Sequence, residues 1–426
     1  MEKIVASDKP LPEVAEYLST YNRYFVRSEG RESLERYSTG LLSDIPRKNG
    51  ETIEDSVPGT NNQRLQSLLT GIQWDDKGVN QEHVEQMRDN VFLGDGVLIH
   101  DDTGIPKQGD HSVGVARQHC SELGKVANCQ VVVTCHYADP AASWPVNARL
   151  YLPKAWTDDP ERMTQAGVPE DIEFQTKPEI ALALLDEANR IGIPHEAVVA
   201  DSSYGGNDTY LSGLEQREEH YVNGVPCDFS VILEDDPEGN VQRADVAMHQ
   251  ISRRRWCTIR WREGTKGWLR KKFVAVRAYR ALGGERKTLG WLILAVGDPT
   301  YGQKGKWKYY FSDFPVDTQL EKMVEYVHRR WHIDRFYEDA KNELGWGDYQ
   351  GRKWVGFHRH TIIVMLTYGF LAWSEWKHRH SAPRPRGRPR NPFSPRRDPR
   401  RQSIQEIHRQ VIDGLWQMAM KHYLRN

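Results

Sequence analysis

Residues 97–104 read VLIHDDTG, a short apolar run that ends in two adjacent aspartates. A run of this length before a Thr-Gly turn predicts a buried strand. A second such run, AVVADSSYG at 197–205, ends in Asp201. Successive strand residues point to opposite faces of a sheet, so only one of Asp101 and Asp102 can join a site on a given face. Turn formation would also account for an aspartate at the end of each strand.

A third carboxylate lies in RRWHIDRFYEDAK, residues 329–341. We predict one helix that starts near Thr318, runs past Lys341 and ends towards Gly345. Its apolar stripe should pack inward, and it consists of Leu320, Met323, Val324, Val327 and Trp331. Continued by helical spacing, the stripe reaches Asp334, Glu338 and Lys341.

A carboxylate on an inward stripe needs a partner, because an unpaired buried charge is costly. A salt bridge of Asp334 or Glu338 to Lys341 or to an arginine would satisfy it. A metal is the other solution. Two strand-end carboxylates and one on a helix can hold two divalent cations about 4 Å apart, the arrangement that drives phosphodiester hydrolysis and transfer.

The patterning along the chain predicts an α/β (α+β) protein in five segments. Residues 1–90 have helical spacing, and 91–226 contain strands followed by an alternation of helix and strand. Residues 227–315 are β-rich and interrupt the α/β segment before its last helices, 316–376. Residues 377–426 form a basic Pro/Arg linker and a terminal helix.

Composition excludes several classes of protein. The 58 Lys and Arg balance 59 Asp and Glu, so net charge does not indicate a polyanionic partner. Five cysteines without a CxxC pair argue against a disulfide framework or a cysteine zinc site. The N-terminus has no apolar core typical of a signal peptide, and the apolar segment 361–373 is too short to span a membrane. We therefore expect a cytoplasmic protein without a membrane partner; the resemblance described next implies that it is bacterial and nucleoid-associated.

At its acidic segments the chain resembles bacterial insertion-sequence transposases of the DDE type, above all the insertion sequence seven-hundred-one family. The resemblance runs in order along most of the chain. It rests on the segments 40–53, 65–76, 98–133, 176–182, 198–205, 262–267, 308–318 and 329–360. It implies a ribonuclease-H-like catalytic domain that is interrupted by the β-rich insertion.

The resemblance also implies the roles of the site residues. Asp102, Asp201 and Asp334 would be the catalytic, metal-binding acids, with Glu338 as the alternative third acid. They would hold two Mg²⁺ ions, for which Mn²⁺ could substitute. Where the family usually has Glu, this chain has Asp334. Three further residues fit a Tyr-Arg-Glu-Lys signature and would contact DNA, namely Tyr326 (with one extra residue before the arginine), Arg330 and Lys341.

The segment between Lys377 and Arg401 predicts a second DNA contact, since it contains ten Lys or Arg and one acid. Its Arg386-Gly387-Arg388 core resembles an AT-hook, in which arginines enter the minor groove. A disordered basic linker held by phosphates is the alternative.

The predicted function is cut-and-paste DNA transposition. The partners would be double-stranded DNA, as terminal inverted repeats and as target, and a second copy of the chain in a homodimer on DNA. The alternatives are a catalytically silent DNA-binding protein descended from a transposase and a nuclease without strand transfer.

Overall fold

The computed structural model describes residues 11–91, 94–264, 267–297, 306–381 and 402–423. Its first part is helical, as predicted. Asn49 and Asn61 start two of these helices, because each side chain accepts hydrogen bonds from the first free backbone N–H groups. The helices are α1 (Pro12–Ser19), α2 (Ser28–Leu42), α3 (Gly50–Ser56), α4 (Asn62–Thr70) and α5 (Asp76–Val91).

The first sheet contains the two predicted acidic strands. Its strands are β1 (Val97–Pro106), β2 (Ala116–Cys120), β3 (Lys125–Ala138), β4 (Ser143–Tyr151) and β5 (Ala197–Ala200). β3 pairs antiparallel with β1, β2 and β4, while β5 pairs parallel with the other edge of β1. The parallel pair brings the ends of both apolar runs, and hence their aspartates, to neighbouring strands.

Helices connect β4 to β5 and follow β5. They are α6 (Lys154–Thr157), α7 (Pro160–Ala166), α8 (Lys177–Ile191), α9 (Ser202–Gly205) and α10 (Asp208–Gln216). A capping box of Thr176 and Glu179 starts α8, and Gly192 ends it in the left-handed conformation at φ 78°. The sequence predicts both ends of this helix.

The second sheet contains most of the predicted β-rich segment. Its strands are β6 (Val222–Val225), β7 (Ser230–Leu233), β8 (Gln242–Arg243), β9 (Cys257–Gly264), β10 (Gly267–Leu282), β11 (Glu285–Val296) and β12 (Lys308–Ser312), with the short helix α11 (Ala244–Ala247) after β8. β6 precedes residue 227, yet it pairs with β12. Tyr221, next to β6, forms a parallel bridge with Val198 of β5. The two sheets are therefore joined through the chain around residue 221.

The predicted long helix is two helices, α12 (Leu320–Arg329) and α13 (Trp331–Asn342). At the junction the N–H of Ile333 donates to the carbonyl of Arg330 at 3.1 Å, which is a tighter turn than the α-helical one. This turn rotates the residues that follow. Trp331 is consequently 40% exposed, and its prediction as an inward residue was wrong. The buried face of α13 consists of Ile333, Phe336, Tyr337, Asp339 and Ala340.

Two helices complete the fold, α14 (Trp354–Ser381) and α15 (Ile404–Tyr423). α14 packs against β4 on one side and against α2, α4 and α5 on another. Its middle, including Ile363 and Leu371, is fully buried, as predicted for segment 361–373. Within the described ranges, none of the helices combines the length and the apolar character needed to cross a membrane.

Candidate active site

β1 separates two apolar cores, and its alternating side chains enter one or the other. Ile99 belongs to the core that contains Ile333 and Phe336 of α13, whereas Leu98 belongs to the core that contains Leu184 of α8. Odd-numbered residues of β1 thus face α13, and even-numbered residues face α8. The two adjacent aspartates are divided in the same way.

Asp101 lies on the α13 face. Its Oδ2 is 2.5 Å from Nη1 of Arg330, and its Oδ1 accepts a hydrogen bond from the N–H of Asp102 at 2.8 Å. Burial raises the pKa of Asp101 to about 8 against the opposing effect of Arg330, and the charges of Asp201 and Asp102 add to the rise. Burial thus disfavours the charged form of this carboxylate more than Arg330 favours it.

Asp102 lies on the α8 face. Nζ of Lys177, at the start of α8, is 2.9 Å from its Oδ1, and the hydroxyl of Tyr204 donates to its Oδ2 at 3.2 Å. Both oxygens of Asp102 thus have partners within the protein. The structure does not bring Asp102 to the side of β1 on which Asp334 lies.

Asp201 follows β5 and caps the short helix α9. Its Oδ1 accepts from the N–H of Ser203 at 2.9 Å and from its hydroxyl at 2.5 Å. Its charge contributes to the raised pKa values of Asp101 and Asp334, so it lies within electrostatic range of both. Asp201 directly follows β5, the strand that pairs parallel with β1.

Asp334 lies in the first turn of α13, half-exposed, with Oδ2 3.3 Å from Nη2 of Arg330. Burial raises its pKa, Arg330 opposes the rise, and Asp201 adds to it. Glu338, the alternative third acid, is as exposed as Asp334 and pairs with Arg335 at 2.7 Å. Of the two acids, Asp334 is the one that shares a cation with Asp101.

Arg330 is the centre of this arrangement, since its guanidinium pairs with both Asp101 and Asp334. Lys341 is bound to protein groups, because its Nζ donates to the carbonyl of Gly104 at 2.7 Å and lies 2.6 Å from Glu122. Both lysine contacts hold the second half of α13 against the region of β1 and β2.

The other predicted DNA contacts have different outcomes. Tyr326 is 1% exposed, and its ring lies against Phe314 and below the guanidinium of Arg329. As folded, it is a core residue, and the predicted DNA contact is wrong because the apolar face of α12 carries this ring inward. Arg386 and Arg388 lie outside the described residues.

Tyr337 is a site residue that the sequence analysis missed. Its hydroxyl lies 2.5 Å from Oγ1 of Thr134, which pairs with Asp101 across β1 and β3. The contact fixes α13 to the strand next to Asp101. Helical spacing could have indicated this residue, since Tyr337 follows Asp334 by three positions and so shares its side of the helix.

Asp101 and Asp334 pair with the guanidinium of Arg330, and Asp201 lies within electrostatic range of it. Across the ranges that the structure describes, no three His, Cys, Asp or Glu side chains are close enough to enclose one ion. The donors present are carboxylate oxygens, the type that Mg²⁺ prefers, and burial disfavours the charged form of Asp101 and so raises its pKa. The chemistry of the donor set thus fits a divalent cation.

Comparison with known proteins gives the class to which this fold and these acids belong. The family model of the DDE superfamily endonucleases matches residues 20–268, which is more than half of the chain. The chain therefore belongs to the DDE superfamily of endonucleases, and membership implies dependence on a divalent metal. The matched residues include Asp101 and Asp201, whereas Asp334 lies beyond them.

A curated relative extends the similarity. The chain is 26% identical over 340 residues to a protein of Microchaete diplosiphon named probable transposase for insertion sequence element IS701, a match that covers 79% of this chain and 81% of that protein. Together the two comparisons confirm the predicted family and the predicted enzyme class, a DDE-type transposase.

Proposed function

We propose that this chain cuts the ends of its own insertion element and joins them to target DNA. The observation that supports the proposal most directly is the shared guanidinium of Arg330, which gathers Asp101 from β1 and Asp334 from α13 beside Asp201. Three strand-end and helix carboxylates beside a basic group match the needs of phosphodiester cleavage.

The proposed catalytic acids are Asp101, Asp201 and Asp334. Sequence analysis alone favours Asp102 as the first acid, but Lys177 and Tyr204 occupy both of its oxygens on the opposite face of β1. Asp102 becomes a positioning residue in this proposal. Through Tyr204 it holds helix α9, whose N-terminal cap is Asp201.

Two Mg²⁺ ions are the proposed cofactor, with Mn²⁺ as a substitute. When bound, they would activate the attacking oxygen and stabilise the oxygen that leaves the phosphodiester. Asp101, Asp201 and Asp334 would hold them. Arg330 offers a planar fork of N–H donors that suits a phosphate as well as a carboxylate, so its proposed role is to bind the scissile phosphate.

The proposed catalytic domain is ribonuclease-H-like. Its support is the path β4–β3–β1–β5, in which three antiparallel strands are followed by a parallel one. The segments 91–226 and 316–376 would form this domain, with the β-rich segment 227–315 inserted between them. Residues 1–90 and 377–426 would add DNA contacts, and synapsis of two ends would require a homodimer.

The test uses the purified chain, duplexes of the terminal inverted repeats that flank its gene, and a supercoiled target plasmid. Cleavage at the repeat ends should require Mg²⁺ or Mn²⁺, and the 3′-hydroxyl ends should then appear joined to the plasmid. Cleavage without joining would identify a nuclease without strand transfer. Tight binding without cleavage in either metal would contradict the proposal and identify a silent DNA-binding protein.

A further inference from the structure

The surface has cavities of about 380 Å³ and about 520 Å³. The cavity of 520 Å³ differs from the other by the positive charge of the residues that line it. It lies where the N-terminal helices meet the end of β1, between residue 47, the loop 106–112 and the loop 347–352. Three cations line it, and they are Arg47, Lys107 and Arg352. None of them belongs to the candidate active site.

Hydrogen bonds fix the three segments to one another, so the cavity is built into the fold. The N–H of Lys48 donates to Oδ2 of Asp348 at 2.8 Å, and Nζ of Lys107 donates to the carbonyls of Gly347 and Tyr349 at 3.2 and 2.5 Å. The ring of Tyr349 in turn stacks on buried His360. These contacts hold together the three segments that carry the cations and border the open space.

The two guanidinium groups of the cavity are available to a ligand. Arg47 and Arg352 are exposed, and within the described part of the chain neither lies within 4.0 Å of a carboxylate. The two carboxylates that line the cavity have partners of their own. Asp348 accepts from Lys48, and Asp110 lies 3.5 Å from Nε2 of His111.

We propose that this cavity binds a backbone phosphate of the duplex DNA whose end is cut, through Arg47 and Arg352. The inference rests on the proposed function for its DNA substrate. A guanidinium presents paired N–H donors that match a phosphate, and phosphate contacts set the register of a protein on DNA. Lys107 adds a third positive charge at the cavity wall.

The position of the cavity gives a distance along the DNA. Lys107 follows Asp101 by six residues along β1, and at about 3.3 Å per strand residue the separation is roughly 20 Å. Duplex DNA carries one phosphate per strand for about every 3.4 Å of its axis. With the duplex axis along β1, a phosphate held beside Lys107, one residue past the end of that strand, should lie about six base pairs from the scissile one.

The first measurement is DNA affinity as a function of salt, made without divalent metal so that no cleavage occurs. Arg47→Gln/Arg352→Gln should reduce the log–log salt slope by about 1, since the two arginines bind one phosphate and each phosphate contact contributes roughly 0.9. Arg190→Gln is the matched control, because it removes an exposed guanidinium at the far end of α8 and should leave the slope unchanged. Equal slopes for the wild type and the double variant would overturn the proposal.

The second measurement locates the phosphate. A series of duplexes, each with one neutral methylphosphonate, should weaken wild-type binding at a position about six base pairs from the cleavage site. The double variant should be insensitive to that same substitution, because it has already lost the partner. Equal sensitivity of both proteins at every position would overturn the proposal.

These outcomes are independent of catalysis. A protein that binds through the cavity but never cuts DNA would contradict the proposed function and leave the phosphate site intact. Unfolding midpoints of the variants, which should match the wild type because both side chains are exposed, exclude misfolding as the cause of a lower affinity.

Discussion

Asp101 and Asp102 are neighbours in the chain, but they lie on opposite faces of β1 and in opposite electrostatic environments. Asp101 shares one guanidinium with Asp334 and has a pKa raised to about 8. Each oxygen of Asp102 has its own partner, Nζ of Lys177 for one and the hydroxyl of Tyr204 for the other. The difference teaches two roles for a carboxylate. One that has its own partners holds structure in place, whereas one that shares its cation with a second acid can still bind a further cation.

The largest expected effect separates the two aspartates directly. Asp101→Asn should lower metal-dependent cleavage roughly a thousandfold or more, because a metal ligand supplies several kcal/mol of transition-state stabilisation. Asp102→Asn should lower it only about 10- to 100-fold, the usual effect of a group that acts through a ligand. Single-turnover cleavage of end duplexes, with DNA affinity measured alongside, checks both. An inactive Asp102→Asn beside an active Asp101→Asn would reverse the assignment.

The second comparison concerns the acids of α13. Asp334→Ala should abolish cleavage, while Glu338→Ala should stay within a few-fold of the wild type, since Glu338 pairs with Arg335 and not with the Arg330 that Asp101 and Asp334 share. Asp334→Glu should keep or raise activity, because the longer side chain extends the reach of the carboxylate towards Asp201. Cleavage rates over a range of Mg²⁺ and Mn²⁺ concentrations decide which of Asp334 and Glu338 is the third acid. Loss of activity in Glu338→Ala alone would make Glu338 the third ligand.

The third prediction uses the pKa of Asp101, which is raised from 3.8 to about 8. Between pH 3.8 and about pH 8, Asp101 of the folded protein binds a proton that the unfolded chain releases. The contribution of Asp101 to the free energy of unfolding therefore falls as pH rises towards about 8. The difference in stability between the wild type and Asp101→Asn should thus shift by on the order of a few kcal/mol between about pH 5 and pH 8.

Urea unfolding of both proteins at the two pH values provides the measurement. Buried histidines such as His136 and His360, whose pKa values burial lowers to about 3, change stability in the opposite direction at low pH. They are the same in both proteins and cancel in the difference. Added Mg²⁺ should stabilise the wild type at the higher pH and not Asp101→Asn. A constant difference would contradict the raised pKa.

The smallest effect tests the Asp102 face. Tyr204→Phe removes the hydroxyl that donates to Asp102 and should lower cleavage about fivefold, in line with about 1 kcal/mol for one hydrogen bond. Tyr210→Phe is the control, because that hydroxyl bonds His100 at 2.7 Å instead of a carboxylate. It should lower stability without changing the cleavage rate of the folded protein. Equal cleavage rates for the two variants would remove Tyr204 from the support of Asp201.

The strands of the site could be predicted because buried strands leave continuous apolar runs, as in residues 97–100 and 197–200. Strand periodicity also requires Asp101 and Asp102 to face opposite ways. It does not tell which face meets α13, since that depends on how α8 and α13 pack on the sheet. The buried face of α13 was predicted wrongly for a related reason, because the pattern of apolar residues does not indicate the tight turn at Arg330.

Gly205, behind Asp201, has a consequence for how this protein could have changed in evolution. A Cβ at this position would lie 2.0 Å from the carbonyl of Gly224 in β6, and the side chain of Asn223 accepts from the N–H of Ala200 at 2.6 Å. The loop that carries a proposed catalytic acid is thus fitted to the first strand of the second sheet. The second sheet is therefore not an interchangeable module, and a chimera that exchanged residues 227–315 would need a β12 that still pairs with Asn223 and Gly224 of β6.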